Sequence, residues 1–409
     1  MNFIRSVFSQ NNKKDKQSDI KIDKYIFKSK CGEKKLVCKF PSIKDEDIKK
    51  CLEKPDIVGE GAFNRVCLIN SNDQSKYALR LTLNDWSENN NETVDNEIKG
   101  LEYQALLSKT KEEGGLQCPY VAKVQSFGHI NKMNGQFTKA YGLLEFLEGG
   151  DLYEFMKNIN KKDLIKTFTV PKIKTIAVKI LQTLNCIHKS GYVYLDLKPD
   201  NIMLAQKNNI TDIKMVDFGL LKKIGSVGQV SGTPGYVSPL MLYEYFKESS
   251  VVMKYNFDIW SFGMILLELV IGSDFNKLMN IQGDIVDGVI EHKKGIEKYI
   301  NGVFNFKNNF INIHTDDDKK NATDFINLIF DMKQNVSAEQ LLRHSWLQDI
   351  EEDPLEPINI KEDIFGNIDL NNTNKEEQNI NSGGKRKTKK LKKFKKQRKS
   401  KKHRKTNKK

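Results

Sequence analysis

Apolar positions along this chain change period several times, and each change marks an element. Residues 57–69 form a strand-like run that opens on I-V-G-E-G-A-F-N-R-V and closes on Cys67, Leu68 and Ile69. A polar N-S-N-D-Q-S turn and a second run over 76–83 follow, which predicts a two-stranded hairpin with glycines at the head of its first strand. Over 96–108, Ile98, Leu101, Ala105 and Leu106 recur at helical spacing, while 121–130 and 140–146 read as strands. The clearest helix is 171–189: Ile173, Ile176, Ala177, Ile180, Leu181, Leu184 and Ile187 share one face, Pro171 opens it and Gly191 ends it. Ile202, Met203 and Leu204, a polar turn, and the run from Ile213 to Val216 imply another hairpin. Residues 258–272 are apolar nearly all round, the mark of a buried central helix. Residues 273–320, rich in Asn, Lys and Asp, read as an insertion with short helices. Segments 323–332 and 337–347 close the body, the second with Ser337 and Gln340 spaced as a capping box.

The ends have a different character from this body, which spans 51–348. Residues 1–50 are polar with short apolar islands and read as a partly ordered leader to which the sequence assigns no role. Residues 349–384 are acidic and Asn-rich with few large apolar side chains, the composition of a disordered linker. Residues 385–409 hold 17 Lys or Arg and no acid, three more positive charges than the net +14 of the whole chain, so everything before them sums to −3. The basic character therefore belongs to the tail and says little about the body. Hydrophobic content of 38% in 409 residues is enough for a core of two lobes. The six cysteines show no C-x-x-C spacing and no accompanying histidine cluster, which points to reduced thiols in an intracellular compartment. The N-terminus lacks the apolar core of a signal peptide, and the longest largely apolar run, 264–271, is far below the ~20 residues that cross a bilayer.

Chemistry concentrates in G-Y-V-Y-L-D-L-K-P-D-N, residues 191–201. An acid, Asp196, followed by Lys198 and Asn201 puts a base, a cation and a metal ligand on one loop, a set suited to phosphoryl transfer. The same letters also suit a polar turn stiffened by proline. The strand ending in Asp217, Phe218 and Gly219 would bring a second carboxylate beside Asp196, a plausible magnesium site. Gly59 and Gly61 allow a backbone to lie close over phosphates, although a lone G-x-G is a weak signal. Glu97 reads either as a functional carboxylate or as a solvated charge, and Asp151 either as a ribose acceptor or as the cap of a helix starting at Leu152.

Taken jointly and in order, these motifs resemble the eukaryotic protein kinase family, serine/threonine subclass, over roughly 57–347. The resemblance implies an α+β, bilobal fold with a β-rich N-lobe and a mostly helical C-lobe, followed by a disordered basic tail. It implies ATP and Mg2+, with Mn2+ as an alternative, and a protein substrate bearing Ser or Thr. By it, Ile57, Gly59, Glu60, Gly61, Ala62, Phe63, Asn64 and Val66 would cover the nucleotide. Ala78 and Met203 would sandwich adenine, Glu145 and Leu147 would form the hinge, Asp151 would meet the ribose, and Arg80 and Glu97 would position phosphates. Asp196 and Lys198 would be catalytic, and Asn201 and Asp217 would hold the metal.

Four departures stand out. Arg80 occupies the place of the family's strand lysine, so reduced turnover is the default expectation, and Arg65 is a candidate for compensating charge. Asn64 replaces the third loop glycine and would tolerate a positive φ there. The H-R-D triplet reads Tyr194, Leu195, Asp196, with Tyr194 able to fill the histidine's place and no arginine to meet an activation-segment phosphate. Leu240 and Asn335 replace both members of a C-lobe ion pair, which is milder than losing one. These leave an active kinase as the leading reading, with a nucleotide-binding pseudokinase scaffold, tethered by its tail, as the alternative. The tail itself lacks aromatic interleaving, so it would meet nucleic acid only through phosphates; anionic membrane, nuclear import and plain solubilisation are further options. Its G-G-K-R-K-T-K-K start resembles tails of large DNA virus proteins, which would place the protein in a host cell or virion, and otherwise in cytoplasm or nucleus.

Overall fold

A computed structural model describes residues 20–22, 25–41, 43, 45–53, 57–60, 64–83, 91–134, 137–286 and 291–350. The linker from 351 and the 385–409 tail lie outside the described residues, as does the leader to residue 19.

The N-lobe is one antiparallel sheet. Its strands are β1 (Ile20–Ile22), β2 (Tyr25–Ser29), β3 (Ile57–Glu60), β4 (Asn64–Asn70), β5 (Lys76–Thr82), β6 (Val124–Lys132) and β7 (Phe137–Glu145), in the spatial order β1-β2-β6-β7-β5-β4-β3. Strand alternation divides the side chains cleanly. Cys67, Ile69, Leu79, Leu81, Tyr141 and Leu143 bury one face against Ile48 and Cys51 of helix α1 (Asp45–Glu53). Val66, paired with Arg80, and Ala78, paired with Leu68 and Leu144, belong to the other face, the one that looks into the cleft. Helix α2 (Asn91–Ser108) packs across β6 and β7.

Two expectations change here. The hairpin read over 57–83 is three strands, because the chain reverses within the glycine segment so that Gly59 pairs with Val66 and Glu60 with Arg65. A continuous run of apolar letters conceals such a reversal. Part of the leader is also N-lobe structure. Strand β2 pairs with β6 along its length, and Lys30, Val37 and Lys39 donate backbone hydrogen bonds to Phe127, Glu113 and Gln125. Lys34 then pairs with the buried Glu102 of α2 at 3.2 Å, so the segment braces that helix from behind.

The C-lobe is helical: α3 (Leu152–Lys157), α4 (Lys161–Thr167), α5 (Val170–Lys189), α6 (Pro239–Glu248), α7 (Asn256–Ile271), α8 (Asn276–Val286), α9 (His292–Asn312), α10 (Asp316–Phe330) and α11 (Ala338–Leu342). Short strands β8 (Tyr192–Val193), β9 (Ile202–Leu204), β10 (Ile213–Met215), β11 (Lys222–Lys223), β12 (Val227–Gly228) and β13 (Val251–Val252) lie among them in antiparallel pairs β9–β10, β8–β11 and β12–β13. All of α7 from Phe257 to Ile271 is buried, as its all-round apolarity requires. At about 1.5–3 kcal/mol per buried large apolar side chain, this helix is the chief anchor of the lobe. The 273–320 segment corrects the expectation of short helices. Its α9 runs 21 residues and buries Ile296, Tyr299, Val303 and Phe310 along one face. Interleaved Asn and Lys dilute that periodicity in the sequence. The capping box at Ser337 and Gln340 is present.

The six cysteines form three disulfides, Cys31–Cys38, Cys51–Cys67 and Cys118–Cys186, with Cα separations of 5.9, 5.9 and 5.7 Å. The expectation of reduced thiols rested on sequence spacing, and partners brought together by folding have no spacing signature. With it goes the argument from cysteines to a reducing compartment. No described helix is long and apolar enough to cross a membrane.

Candidate active site

Helix α5 delivers the chain into the 191–201 loop, and α7 fixes it there. Asp258, with no solvent exposure, accepts the backbone N–H groups of Tyr194 and Leu195, each at 2.8 Å, and lies 2.8 Å from His188 Nε2. Tyr194 is fully buried, donates its hydroxyl to the Val216 carbonyl and meets the Phe218 ring edge-on at 5.1 Å, so it packs the loop against the segment that leads into Asp217. Leu195 is held at φ +69°, a costly backbone for a non-glycine residue. Gly232 makes room for it: a Cβ there would sit 2.6 Å from the Leu195 carbonyl oxygen.

The held loop presents Asp196. Its Oδ1 accepts the hydroxyl of Thr233 at 2.8 Å, and its Oδ2 accepts Lys198 Nζ and Asn201 Nδ2, both at 3.0 Å. Lys198 also donates to Thr233 Oγ1 at 2.8 Å. Burial raises the Asp196 carboxyl above its ordinary value, and Lys198 and Thr233 pull against that. Asn201 accepts the Val216 N–H through its backbone carbonyl, which sets it beside Asp217 just past the end of β10.

Asp217 sits at φ +63° and uses Oδ1 for both Gly219 N and Arg80 Nη2, each at 3.4 Å. The Arg80 guanidinium holds its carboxyl below the usual range against the effect of burial. Arg80 donates one hydrogen bond to Glu97, Nη2 to Oε2 at 3.0 Å, and its Nε lies 2.6 Å from Oε1 as an ion-pair contact without hydrogen-bond geometry. Burial works against the Arg80 charge, but Asp217 and Glu97 outweigh it and raise its pKa. Asn64 Nδ2 donates to Glu97 Oε2 at 2.7 Å. Asn64 is an extended residue paired with Thr82, not the positive-φ residue expected. Arg65 pairs with Leu81 and so lies on the opposite sheet face from Arg80, which removes it as a source of compensating charge.

Helix α2 reaches this constellation closely. A Cβ on Gly100 would meet the Gly219 Cα at 3.0 Å, a tight contact, so glycine here eases the approach of the helix carrying Glu97 to the chain around Asp217. At the hinge, Glu145 accepts the Lys123 N–H at 2.7 Å and pairs with Lys214 at 3.2 Å, while Leu147 is buried. Asp151 caps α3 by accepting the Glu154 N–H at 2.8 Å, and its backbone bridges to Met203. Gly61, Ala62 and Phe63 lie outside the described residues, as do the side chains of Ile57 and Glu60. The Asn64–Glu97 bond and the Gly100 contact carried no motif in the sequence, since each joins residues far apart in the chain.

Beside the loop, Tyr236 donates its hydroxyl to Glu268 of α7. Burial first, and the nearby Asp200 charge second, push the Glu268 carboxyl from 4.5 up to about 8 despite that hydrogen bond. The folded state therefore holds this proton more tightly than the unfolded chain. Its contribution to stability is whole below pH 4.5 and is lost as pH rises toward about 8. Glu268→Gln, which keeps an acceptor for Tyr236, is expected to flatten the fall of the thermal midpoint across this window. Melting curves of both proteins at stepped pH check it, and parallel declines would contradict it.

The residues fit a hard divalent cation. Asn201 offers an amide oxygen and Asp217 its Oδ2, which neither Arg80 nor Gly219 engages. Among the described residues, no group of three or more His, Cys, Asp or Glu is arranged to hold a metal, so remaining ligands would come from phosphate and water.

Over residues 52–347 the chain matches the family described as "Protein kinase domain". Smooth-muscle myosin light chain kinase of Gallus gallus is 31% identical over 216 residues, which cover 50% of this chain and 10% of that relative. Myosin light chain kinase A of Dictyostelium discoideum is 26% identical over 313 residues, 74% of this chain and 90% of the relative. Protein kinase 2 of the same organism is 27% identical over 241 residues, 57% of this chain and 43% of the relative. The chain thus spans between a tenth and nine tenths of the length of these relatives.

Proposed function

The chain belongs to the protein kinase family, and from that premise we propose that it is a serine/threonine kinase transferring the γ-phosphate of ATP to a protein hydroxyl. One observation carries the reading. The Thr233 hydroxyl already sits 2.8 Å from the Asp196 carboxylate and 2.8 Å from the Lys198 ammonium, the surroundings an aliphatic acceptor hydroxyl needs. Asp196 orients the acceptor and takes its proton, and the Lys198 charge offsets negative charge developing on the transferred group. Arg80, fixed by Glu97, supplies cationic charge at the back of the cleft. A bound Mg2+ or Mn2+ at Asn201 and Asp217 would neutralise phosphate charge.

A nucleotide-binding pseudokinase is the second reading, and the Arg80 to Asp217 contact favours it, because that cation competes for a metal-ligand carboxylate. Incubating the full chain with ATP, Mg2+ and acceptor peptides that differ only in Ser, Thr or Tyr separates the readings. Labelling of Ser and Thr peptides is expected. Labelling of Tyr alone would overturn the subclass, and ATP binding without transfer would establish the pseudokinase.

A further inference from the structure

Thr233, Pro234, Gly235 and Tyr236 form a tight turn beside the catalytic loop. Tyr236 donates its N–H to the Thr233 carbonyl at 3.1 Å, and Gly235 takes φ +98°, the third-position geometry of a type II turn whose second position suits proline. The first residue of the turn carries the hydroxyl that meets Asp196 and Lys198. Whatever fixes Gly235 therefore fixes one border of the place an acceptor hydroxyl has to enter.

Two fully buried side chains from the 273–320 segment take hold there. The amide of Gln282 on α8 bridges two points of the loop: its Oε1 accepts the Gly235 N–H, and its Nε2 donates to the Val237 carbonyl at 2.8 Å. The Tyr299 hydroxyl on α9 donates to the Gly235 carbonyl at 2.9 Å and accepts Trp260 Nε1 of α7 at 3.3 Å. Both backbone polar groups of Gly235 are thus held by side chains. Met279, three residues before Gln282, closes on the same glycine, where a Cβ would meet its Cγ at 2.5 Å. Helix α7 holds the next residue, through Ser261 Oγ on the Tyr236 carbonyl at 2.8 Å. An amide suits position 282 because it offers a donor and an acceptor at once, whereas an ionised carboxylate only accepts and would face the Val237 carbonyl with no proton to share. Leu240 and Asn335 cannot form the ion pair that the family resemblance places just past this loop, so the hold from α8 and α9 stands where that pair is missing.

We propose that Gln282 and Tyr299 are positioning residues for the acceptor polypeptide, keeping the 233–236 turn where an incoming hydroxyl can reach Asp196. This rests on the kinase reading above and gives the 273–320 segment a part in it. Losing either side chain leaves buried backbone groups of the loop unpaired, and the turn shifts to satisfy them. The hydrogen bonds of the pair run to Gly235, Val237 and Trp260, none of which is assigned to nucleotide or metal, so the effect falls on the acceptor and spares ATP.

The test measures transfer from ATP with Mg2+ to dephosphorylated casein by the full chain, varying casein at saturating ATP and then ATP at saturating casein. Gln282→Glu keeps the acceptor for Gly235 and loses the donor for Val237; Tyr299→Phe removes one hydroxyl. The two reach the turn from different helices, so either variant decides the matter if the other fails to fold. KM for casein is expected to rise at least fivefold in Gln282→Glu and at least threefold in Tyr299→Phe, with KM for ATP within twofold of the wild type. Unchanged kinetics would overturn the proposal, and so would equal changes in both KM values, which mark a general structural role; either result leaves the kinase reading intact. No transfer by the wild type would end both.

Discussion

Replacing Arg80 by alanine is expected to lower kcat/KM for phosphate transfer by about 10²–10³-fold, the scale for losing one preorganised charge at a site of this kind. The residue forms the ion pair with Glu97 and the only ion pair on Asp217 among the described residues, so its loss leaves two neighbouring carboxylates without their cation. Arg80→Lys is the informative companion. An ammonium restores the charge without the bulk of the planar guanidinium, and it frees Asp217 from the 3.4 Å contact that competes with a cation. Activity at or above that of the wild type is expected. Steady-state rates over a range of ATP concentrations check both variants, and equal activity in the wild type and Arg80→Ala would remove Arg80 from the machinery.

The second large effect is on stability. Asp258→Ala is expected to cost about 3–5 kcal/mol, because it strands the buried N–H groups of Tyr194 and Leu195 and leaves His188 without its partner. Leu195 would then lack the hydrogen bond that helps hold it at φ +69°, so Asp196 should drift and transfer should fall even in the folded fraction. Asp258→Asn, retaining one acceptor oxygen, should lose less. Denaturant unfolding measures the difference, and a shift below about 1 kcal/mol for the alanine variant would show that the loop is held by other contacts.

Much of this was legible in the residues. Helix α5 announced itself by its stripe from Ile173 to Ile187, and α7 by its unbroken apolarity, since both patterns follow directly from what each helix buries. Asp196, Lys198 and Asn201 stood on one loop and Asp217 at the end of a short strand, so adjacency in sequence carried most of the site. What escaped notice joined distant parts of the chain. Asn64 read as a damaged glycine position, yet it is a hydrogen-bond donor to Glu97, 33 residues away. Arg65 looked like a helper for Arg80 until the register placed it on the other face of the sheet. Leu240 and Asn335, which replace a buried ion pair, leave the lobe intact: Asn335 binds Asn256 at 3.1 Å and accepts the Tyr255 hydroxyl at 2.9 Å. Cysteine pairing was invisible for the same reason, because Cys118 and Cys186 are 68 residues apart until the fold brings them together.

The proposed transfer depends on Asp196 acting as a base in a cleft whose buried cation is Arg80. The most direct measurement is transfer from labelled ATP, with Mg2+ and with Mn2+, by the wild type and by Asp196→Asn at matched folded concentration. Transfer by the wild type is expected, with a loss of about 10²–10⁴-fold in the variant and ATP binding and thermal midpoint little changed. Equal transfer by the two proteins, or none by a wild type that binds ATP, would contradict it.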